Sequence, residues 1–229
     1  MRDKFTKIYR YSLWGSEESV SGPGSELEYT RLLRKWLIDT IPKLEVKVLL
    51  DAACGDFNWM KEVVPNLGVN YIGLDIVPAL VRENQKKYSS KNINFHIADI
   101  CKDKLPKCDL VMVRDCLFHL SNEDINHFFV NLSRLEYKYL LTSTHLVHEG
   151  FCNTNIASGE YKDFRMIDLF SDPFNFSKEN VKDRVEDYPE GAQALAYREY
   201  AEEKEMILVE KQFVPKFANT RRIKKCHSK

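Results

Sequence analysis

The stretch Val48-Leu-Leu-Asp-Ala-Ala-Cys-Gly-Asp-Phe-Asn-Trp59 is a short apolar run that leads directly into a tight turn. Its aliphatic start is typical of a buried strand, and the acid, small residues and glycine that follow predict a turn. In an open α/β sheet, ligands bind beyond the carboxyl ends of the strands. The stretch therefore predicts the turn that holds a nucleotide-like ligand, with small residues where the backbone approaches it closely.

Length and composition predict a single domain. The chain has 229 residues, which suffices for one well-buried α/β domain. Its 34 basic and 34 acidic residues give a formal net charge of zero, so the chain has no overall electrostatic attraction to nucleic acid or anionic membranes. No run reaches the roughly 20 apolar residues of a membrane span, and the N-terminus lacks the apolar core of a signal peptide. We expect a cytoplasmic protein without a membrane span, and nucleic acid is disfavoured as a partner.

The cysteines predict neither a zinc site nor a dithiol. None of the six forms a CxxC pair, and we expect reduced, mostly buried thiols. No spacing of metal ligands in the sequence requires a metal, although clustered acids are able to bind magnesium.

Further apolar runs and helix signals follow along the chain. Strands are predicted at 70–75, 93–97, 109–113, 137–144 and 206–209. Helices are predicted to begin at Ser25, Pro78 and Ser121 and to span residues 192–204, and the turn after the first strand is expected to lead into a helix. Residues 1–25 are polar and aromatic. Ser25 and Glu28 have the spacing of a capping box. The alternation of strands and helices predicts right-handed crossovers and hence a parallel sheet. The run 148–190 has no clean period and is interpreted either as a functional loop or lid or as a segment with short elements that the pattern does not resolve. Residues 21–25 are interpreted as an ordinary loop or as a lid.

Four acids stand at the carboxyl ends of predicted strands: Asp51, Asp75, Asp99 and Asp115. These ends meet at one edge of a parallel sheet, where Asp75 is suited to bind a ribose diol and Asp99 an adenine amine. A dinucleotide is disfavoured because residues 52–57 supply one glycine instead of G-x-G-x-x-G. A nucleoside cofactor without phosphates fits better, which points to S-adenosylmethionine.

Two segments resemble class I S-adenosylmethionine-dependent methyltransferases. Leu50-Asp-Ala-Ala-Cys-Gly-Asp56 resembles their first motif and residues 109–120 their fourth, over a region of roughly 46–145. The resemblance implies an α/β, Rossmann-like fold with a mostly parallel seven-stranded sheet and helices on both faces. The residues that it implies bind S-adenosyl-L-methionine are Trp14, Ser25, Asp51, Ala53, Cys54, Gly55, Trp59, Asp75, Ile76, Asp99, Ile100 and Arg114.

A fuller pattern is similar to a subgroup of small bacterial and algal-virus methyltransferases linked to surface-glycan biosynthesis. It comprises Trp14-Gly, Glu18-Ser, Ser21-Gly-Pro-Gly-Ser25, Asp51 with Cys54-Gly-Asp-Phe-Asn-Trp-Met60, Arg114-Asp-Cys-Leu-Phe-His-Leu120, Phe164-Arg, Asp168-Leu and Pro173-Phe. The similarity implies methylation of a sugar or sugar-phosphate hydroxyl of a surface polysaccharide. Ala53 and Phe57 replace glycines of the general pattern, so we expect a tightly packed turn with Phe57 or Trp59 walling the pocket.

The expected organisation is one methyltransferase domain over 1–229. Within it we expect an N-terminal lid and helix at 1–40, a cofactor-binding core at 46–145, an acceptor-side segment with the closing strands at 146–215, and a disordered basic tail at 216–229.

Methyl transfer to a hydroxyl requires alignment of the reactants and a group that takes the proton. We expect His145 to be the base, with Asp115 as orienter or alternative base and His119 third. Three roles stay open for Arg114: to neutralise an acid, to hold the cofactor carboxylate in a bidentate manner, or to bind an anionic acceptor. Arg165 and Asn153, in the long segment after the fifth strand, are the expected acceptor contacts.

Two other functions remain open from the sequence. One is N- or O-methylation of another small molecule, such as a phosphoramidate, or of RNA, although Arg114-Asp-Cys-Leu117 differs from the Asn-Pro-Pro-Tyr-like motif of base N-methylation. The other is a binding module that keeps the cofactor fold without catalysis, against which the acids Asp51, Asp75 and Asp99 argue.

Overall fold

A computed structural model describes residues 1–157, 164–189 and 203–217. Its centre is a seven-stranded sheet in the order β3-β2-β1-β4-β5-β7-β6. The strands are β1 Val48–Ala52, β2 Asn70–Asp75, β3 Ile93–Ile97, β4 Leu110–Val113, β5 Tyr139–His145, β6 Val181–Glu186 and β7 Lys204–Glu210. The first five strands pair in parallel, and β7 pairs antiparallel with both β5 and β6. The predicted mostly parallel, seven-stranded sheet is confirmed.

Four α-helices accompany the sheet in the described residues: α1 Arg2–Arg10, α2 Arg31–Thr40, α3 Pro78–Tyr88 and α4 Asn122–Ser133. The starts of α3 and α4 agree with the prediction, and the Ser121 side chain accepts a hydrogen bond from Asp124 N at the start of α4. Most of the helix predicted from Ala192 lies outside the described residues, as does the tail from 218 onward.

The two faces of the sheet carry separate hydrophobic cores. On β1, Leu50 packs into the core that contains α4, while its neighbour Leu49 packs into the core that contains α2. The same alternation runs along β4, β5 and β7, because successive side chains of a strand point to opposite faces. Both faces are buried, which explains why these strands read as continuous apolar runs.

The strand order indicates where along the sheet a ligand-binding crevice lies. The chain runs from β1 outward through β2 to β3 and then returns to β4 on the other side of β1. The carboxyl ends of β1 and β4 therefore flank the crevice where ligands bind in sheets of this kind.

Some predicted local structure is wrong. Ser25 does not cap a helix: Pro23–Ser25 is a turn of 3₁₀-helix, Glu26 is extended, and α2 begins only at Arg31. Glu28, the expected partner of the cap, is paired with Arg31 instead. The helix suspected after the first turn is replaced by two 3₁₀ turns, Met60–Glu62 and Val64–Asn66, the second containing Pro65.

Two elements were not predicted. Helix α1 lies where the sequence was read only as polar and aromatic, and β6 lies in the long segment without a clean period. None of the described helices is long and apolar enough to span a membrane.

Candidate active site

A cavity of about 880 Å³ opens at the carboxyl ends of β1 and β4, under α1 and the segment that follows it. It brings together most of the residues that the sequence singled out. Fourteen of them line it: Trp14, Ser25, Asp51, Ala53, Cys54, Gly55, Trp59, Asp75, Ile76, Ile100, Arg114, Asp115, His119 and His145.

Three predicted site residues are not among those lining the cavity. The Asp99 carboxylate accepts from Cys101 N instead of facing the cavity. The buried Arg165 guanidinium donates to Leu120 O and to Asn122 Oδ1 at the start of α4. Asn153 Nδ2 donates to the carbonyls of Asp168 and Asp172. The hydrogen bonds of Arg165 and Asn153 link separate segments of the chain. They therefore do not support the expected roles of these two residues in contacting an acceptor.

The turn after β1 is fixed by hydrogen bonds from three directions. Ala53 and Gly55 both have positive φ, +81° and +56°. The N–H groups of Ala53 and Cys54 donate to Leu74 O, and Gly55 N donates to Asp75 Oδ2 at 3.2 Å. From α3, Asn84 Nδ2 donates to Gly55 O at 2.7 Å. These hydrogen bonds hold the turn next to the end of β2. Phe57, expected as a possible pocket wall, is instead packed in the core.

The N-terminal segment is tied to this turn. Asp56 Oδ2 accepts from Ser19 Oγ at 2.8 Å and from Val20 N at 2.9 Å, and Asp56 N donates to Ser21 Oγ at 3.0 Å. A Cβ at Gly55 would lie 2.3 Å from Ser21 Oγ, so the glycine is required for this close approach. Residues 21–25 line the cavity, as expected for a lid.

The acid at the end of β1, Asp51, is buried, and the acid at the end of β2, Asp75, is half-buried. Burial raises the pKa of Asp75 to about 6 and that of Asp51 to about 7. Asp51 Oδ2 accepts from the hydroxyl of Tyr71 at 2.7 Å. Each Asp75 oxygen accepts one backbone N–H, from Gly55 or from Val77. A carboxylate oxygen has two acceptor positions, so both Asp75 oxygens are able to accept a further hydroxyl.

An apolar slot adjoins Asp75. Its walls are Ile76, Leu80, Ala98 and Ile100, all of which line the cavity. A carboxylate that is able to accept hydroxyl groups beside apolar side chains is suited to a nucleoside, with a ribose at Asp75 and a base between the aliphatic side chains. The residues present therefore fit the adenosine part of S-adenosylmethionine.

A cluster of four charged side chains adjoins the cavity, and three of the four are buried. Arg114 makes a bidentate pair with Asp187, with Nε and Nη2 at 2.8 and 2.9 Å from the two carboxylate oxygens. Arg114 Nη2 also donates to Gly24 O at 2.8 Å, and Lys204 Nζ lies 2.6 Å from Asp187 Oδ2. Asp115 completes the cluster, 3.3 Å from Arg114 and 3.2 Å from Lys204. The bidentate use of Arg114 that was expected for a cofactor carboxylate is thus taken by Asp187.

Asp187 and Lys204 were missed by sequence reasoning. Lys204 was read as the end of a helix, and Asp187 as part of a long segment without a clean period. The available signal for Lys204 was a basic residue two positions before the apolar run 206–209, at the start of the predicted strand.

Aromatic and histidine rings form one wall of the cavity. Trp14 stacks on His119 with ring centroids 5.3 Å apart. Phe118 lies edge-to-face with His119, with His145 and with Phe164 at 4.6 to 5.2 Å. Lys4 from α1 donates to His119 O at 3.1 Å, which joins the first helix to this wall. The wall offers ring faces and edges to an acceptor molecule, with few charged groups between them.

His145 is held by the backbone through one ring nitrogen. Ile167 N donates to His145 Nδ1 at 3.0 Å, whereas Ile167 O, 3.3 Å from the same nitrogen, already accepts from His145 N at 2.8 Å. A ring nitrogen that accepts a hydrogen bond carries no proton, so the neutral ring is protonated on Nε2. Burial and the charge of Lys204 lower the pKa of His145 to about 4. His145 is therefore a hydrogen-bond donor and a weak base near neutral pH.

Comparison with known protein families gives a match to the central part of this chain. Residues 49–136 match the family described as a methyltransferase domain. This region contains β1 to β4, the turn after β1 and Asp75. No curated protein matches the sequence.

Solved structures with the same fold are methyltransferases of low sequence identity. The N-methyltransferase NodS of Bradyrhizobium japonicum WM9, crystallised with S-adenosyl-L-homocysteine, has a TM-score of 0.57 and 13% identity, with 89% of this chain and 97% of that chain covered. Magnesium protoporphyrin IX methyltransferase of Synechocystis PCC 6803, also with S-adenosylhomocysteine, has a TM-score of 0.56 and 15% identity, covering 91% and 92%. Human N-acetylserotonin methyltransferase with bound S-adenosylmethionine has a TM-score of 0.56 and 16% identity, covering 90% and 58%.

This chain thus spans less than two thirds of the human protein's length. The similarity to all three structures is a similarity of fold. Together with the family match it supports S-adenosylmethionine as the cofactor. The chain has the Rossmann-like fold of class I methyltransferases, and its residues 49–136 match the methyltransferase-domain family.

Proposed function

We propose that the protein transfers a methyl group from S-adenosylmethionine to a hydroxyl of a sugar or sugar-phosphate unit used in a surface polysaccharide. The observation that supports it best is one cavity that joins a nucleoside-binding end, at Asp75 and the apolar slot, to a wall of aromatic and histidine rings. The assignment to surface glycans rests on the motif resemblance in Trp14-Gly, residues 21–25 and residues 114–120.

The size and lining of the cavity support a small acceptor. A volume of about 880 Å³ lies in the range of small-molecule sites, and here cofactor and acceptor share it. Trp14, Phe118 and Phe164 offer ring surfaces against which the apolar face of a sugar ring packs. A polymer such as RNA would need an extended basic groove, for which the neutral composition gives no support.

When bound, S-adenosylmethionine supplies the methyl group from its sulfonium for an in-line displacement. Asp75 holds the ribose, and the residues under the N-terminal segment exclude water and align the acceptor. Asp115 accepts a hydrogen bond from the acceptor hydroxyl, and His145 donates one from Nε2. Burial and the charge of Lys204 lower the pKa of His145, and Arg114 and Lys204 lower the pKa of Asp115, so both are weak bases that orient the hydroxyl. His119, the third group expected from the sequence, is then the candidate that takes the proton.

Another small molecule is the alternative acceptor that the same wall favours. Stacked and edge-to-face rings also pack well against a planar aromatic acceptor, methylated on oxygen or nitrogen.

A screen with isotopically labelled S-adenosylmethionine tests the proposed function. Nucleotide sugars, monosaccharide phosphates, oligosaccharides, small aromatic alcohols and amines, and RNA are offered separately, and label transfer is measured. We expect transfer to the sugar compounds. Transfer only to aromatic compounds would replace the sugar acceptor, and failure of calorimetry to detect binding of S-adenosylhomocysteine would refute the methyltransferase function.

Three variants assign the proton acceptor in the same assay. His145→Asn keeps an acceptor for Ile167 N but loses Nε2, while His119→Gln and Asp115→Asn remove the other two candidates. If His145 donates, His145→Asn lowers turnover moderately and leaves binding of S-adenosylhomocysteine intact. The base is the residue whose replacement abolishes turnover with binding retained.

A further inference from the structure

Asp115 has a backbone conformation that needs support from its surroundings. It directly follows Arg114 at the end of β4 and has φ +50°, in the left-handed region that side chains other than glycine seldom adopt. Such residues persist only where neighbouring groups fix them, and they cluster at active sites. The side chain lines the cavity.

Ser143 on β5 holds both the backbone and the carboxylate of Asp115. Ser143 Oγ accepts from Asp115 N at 2.9 Å and donates to Asp115 Oδ1 at 3.3 Å. A serine hydroxyl has one proton to donate, and here it is directed at Asp115. The two contacts together fix the rotation of the carboxylate.

Lys204 holds the second carboxylate oxygen. Its Nζ lies 3.2 Å from Asp115 Oδ2, and it is anchored in turn by Asp187 O at 2.9 Å. Arg114 Nη1 lies 3.3 Å from the same Asp115 oxygen. The carboxylate is thus held by a hydroxyl on one oxygen and by two cations on the other.

The charges around Asp115 come from several elements. Arg114 and Lys204 face it from β4 and β7, Asp187 pairs with both cations, and His145 lies on β5. Burial alone would raise the pKa of Asp115, but Arg114 and Lys204 outweigh it and lower the pKa. The group is therefore a carboxylate throughout the physiological pH range.

We propose that Ser143 and Lys204 are positioning residues that hold Asp115 as a fixed, ionised hydrogen-bond acceptor for the group that is methylated. This inference rests on the proposed function and deepens it. It requires that the acceptor presents an O–H or N–H donor at the reacting atom, and that neither Ser143 nor Lys204 contributes to binding of the cofactor.

The test compares Ser143→Ala and Lys204→Met with their conservative counterparts, Ser143→Thr and Lys204→Arg. Thr142→Val is the matched control: Thr142 precedes Ser143 on β5, and its buried hydroxyl has no hydrogen-bond partner among the described residues. For each full-length variant, calorimetry measures binding of S-adenosylhomocysteine, and carboxyl-detected NMR measures the titration of Asp115, whose signal is assigned with Asp115→Asn. Turnover is measured with the acceptor found in the screen.

We expect Ser143→Ala and Lys204→Met to raise the pKa of Asp115 and to lower kcat on the order of 100-fold, the scale of a catalytic group misplaced by about 1 Å. The Kd for S-adenosylhomocysteine of each variant stays within about twofold of the wild-type Kd. The Thr and Arg variants recover most of the loss, and Thr142→Val resembles the wild type. An unchanged Asp115 titration or unchanged kcat in both variants would overturn the positioning role while leaving the methyltransferase function intact. Loss of S-adenosylhomocysteine binding in the wild type would instead overturn the function itself.

Discussion

At the scale of single residues, Asp75 links the protonation of the site to cofactor binding. Its pKa is raised to about 6 because it is half-buried, and its two oxygens already accept backbone N–H groups. Ribose hydroxyls donate hydrogen bonds, which a charged carboxylate accepts on both oxygens and a protonated one does not. Binding therefore selects the ionised form.

The first prediction follows from that selection. Affinity for S-adenosylhomocysteine should rise as pH increases through about 6 and level off above it, because below this pH binding must first remove a proton from Asp75. Calorimetry between pH 5 and 8 measures it. Asp75→Asn should bind more weakly, and the pH dependence that remains reports Asp51, whose pKa is about 7. A wild-type affinity that does not change with pH would contradict the assignment of Asp75 to the ribose.

The second prediction concerns Gly55, where two constraints coincide. A Cβ there meets Ser21 Oγ at 2.3 Å, and φ is +56°. Gly68 is the matched control, because it has φ +66° and no atom within 4 Å of an added Cβ. We expect Gly55→Ala to destabilise the protein by about 1 kcal/mol more than Gly68→Ala, since overpacking adds to the backbone strain. Urea unfolding measures both, and equal losses would mean that Ser21 moves aside freely.

At the scale of elements, α4 is an example of structure that local sequence determines. Ser121 Oγ accepts from Asp124 N at 3.1 Å, and the apolar residues Ile125, Phe128, Phe129 and Leu132 lie buried on one side of the helix. Both the cap and the apolar face follow from residues within one short segment. That is why the start of α4 was predicted correctly.

The third prediction is that Ser121→Ala destabilises the protein by about 1 kcal/mol, because an N–H at the helix start loses its partner. Ser121→Thr should restore most of the loss, because its hydroxyl can accept from Asp124 N and donate to Asp124 Oδ2 as the serine does. Ser133→Ala, at the exposed end of the same helix, is the control and should have little effect. Chemical unfolding of the three variants measures the differences, and a neutral Ser121→Ala would show that the cap is dispensable.

Other elements were missed for identifiable reasons. Helix α1 carries Phe5, Ile8 and Tyr9 at helical spacing, a signal that is present but short and surrounded by charges. Strand β6 is an edge strand in which Val181 and Val185 are the apolar residues, so it lacks the alternation of a half-buried strand. The prediction of a helix cap at Ser25 was wrong because the glycines and proline before Ser25 form a separate 3₁₀ turn.

At the scale of the whole molecule, the sheet and half of the site were predictable, but the charged cluster was not. Acids at successive strand ends share an edge in any parallel sheet, which located Asp51, Asp75 and Asp115. Arg114 and Asp187 are 73 positions apart in the sequence, and their contact depends on how β6 and β7 join the sheet. Arg165 illustrates the same point, since its partners at the start of α4 lie 43 or more positions away.

The fourth prediction belongs to this scale. Asp187→Asn should lower the free energy of unfolding by about 3 kcal/mol, because Arg114 and Lys204 would remain buried with Asp115 as their one remaining partner in the cluster. The exposed pair of Lys35 and Asp39 on α2 provides the control, and Asp39→Asn should change stability little because water screens it. Urea unfolding distinguishes the two, and similar small losses would mean that the buried cluster relaxes without its acid.

The cluster also protects the alignment of the strands. Along β7, Lys204 faces Asp115 and Asp187, while the next residue, Glu205, pairs with Arg184 of β6 at 3.2 Å on the other side. A slip of β7 by one residue would exchange the two sides of the strand. The slip would place the Glu205 carboxylate beside Asp115 and Asp187 and would remove the Lys204 ammonium from them. Charge repulsion would therefore destabilise the mispaired sheet, in addition to the loss of apolar burial.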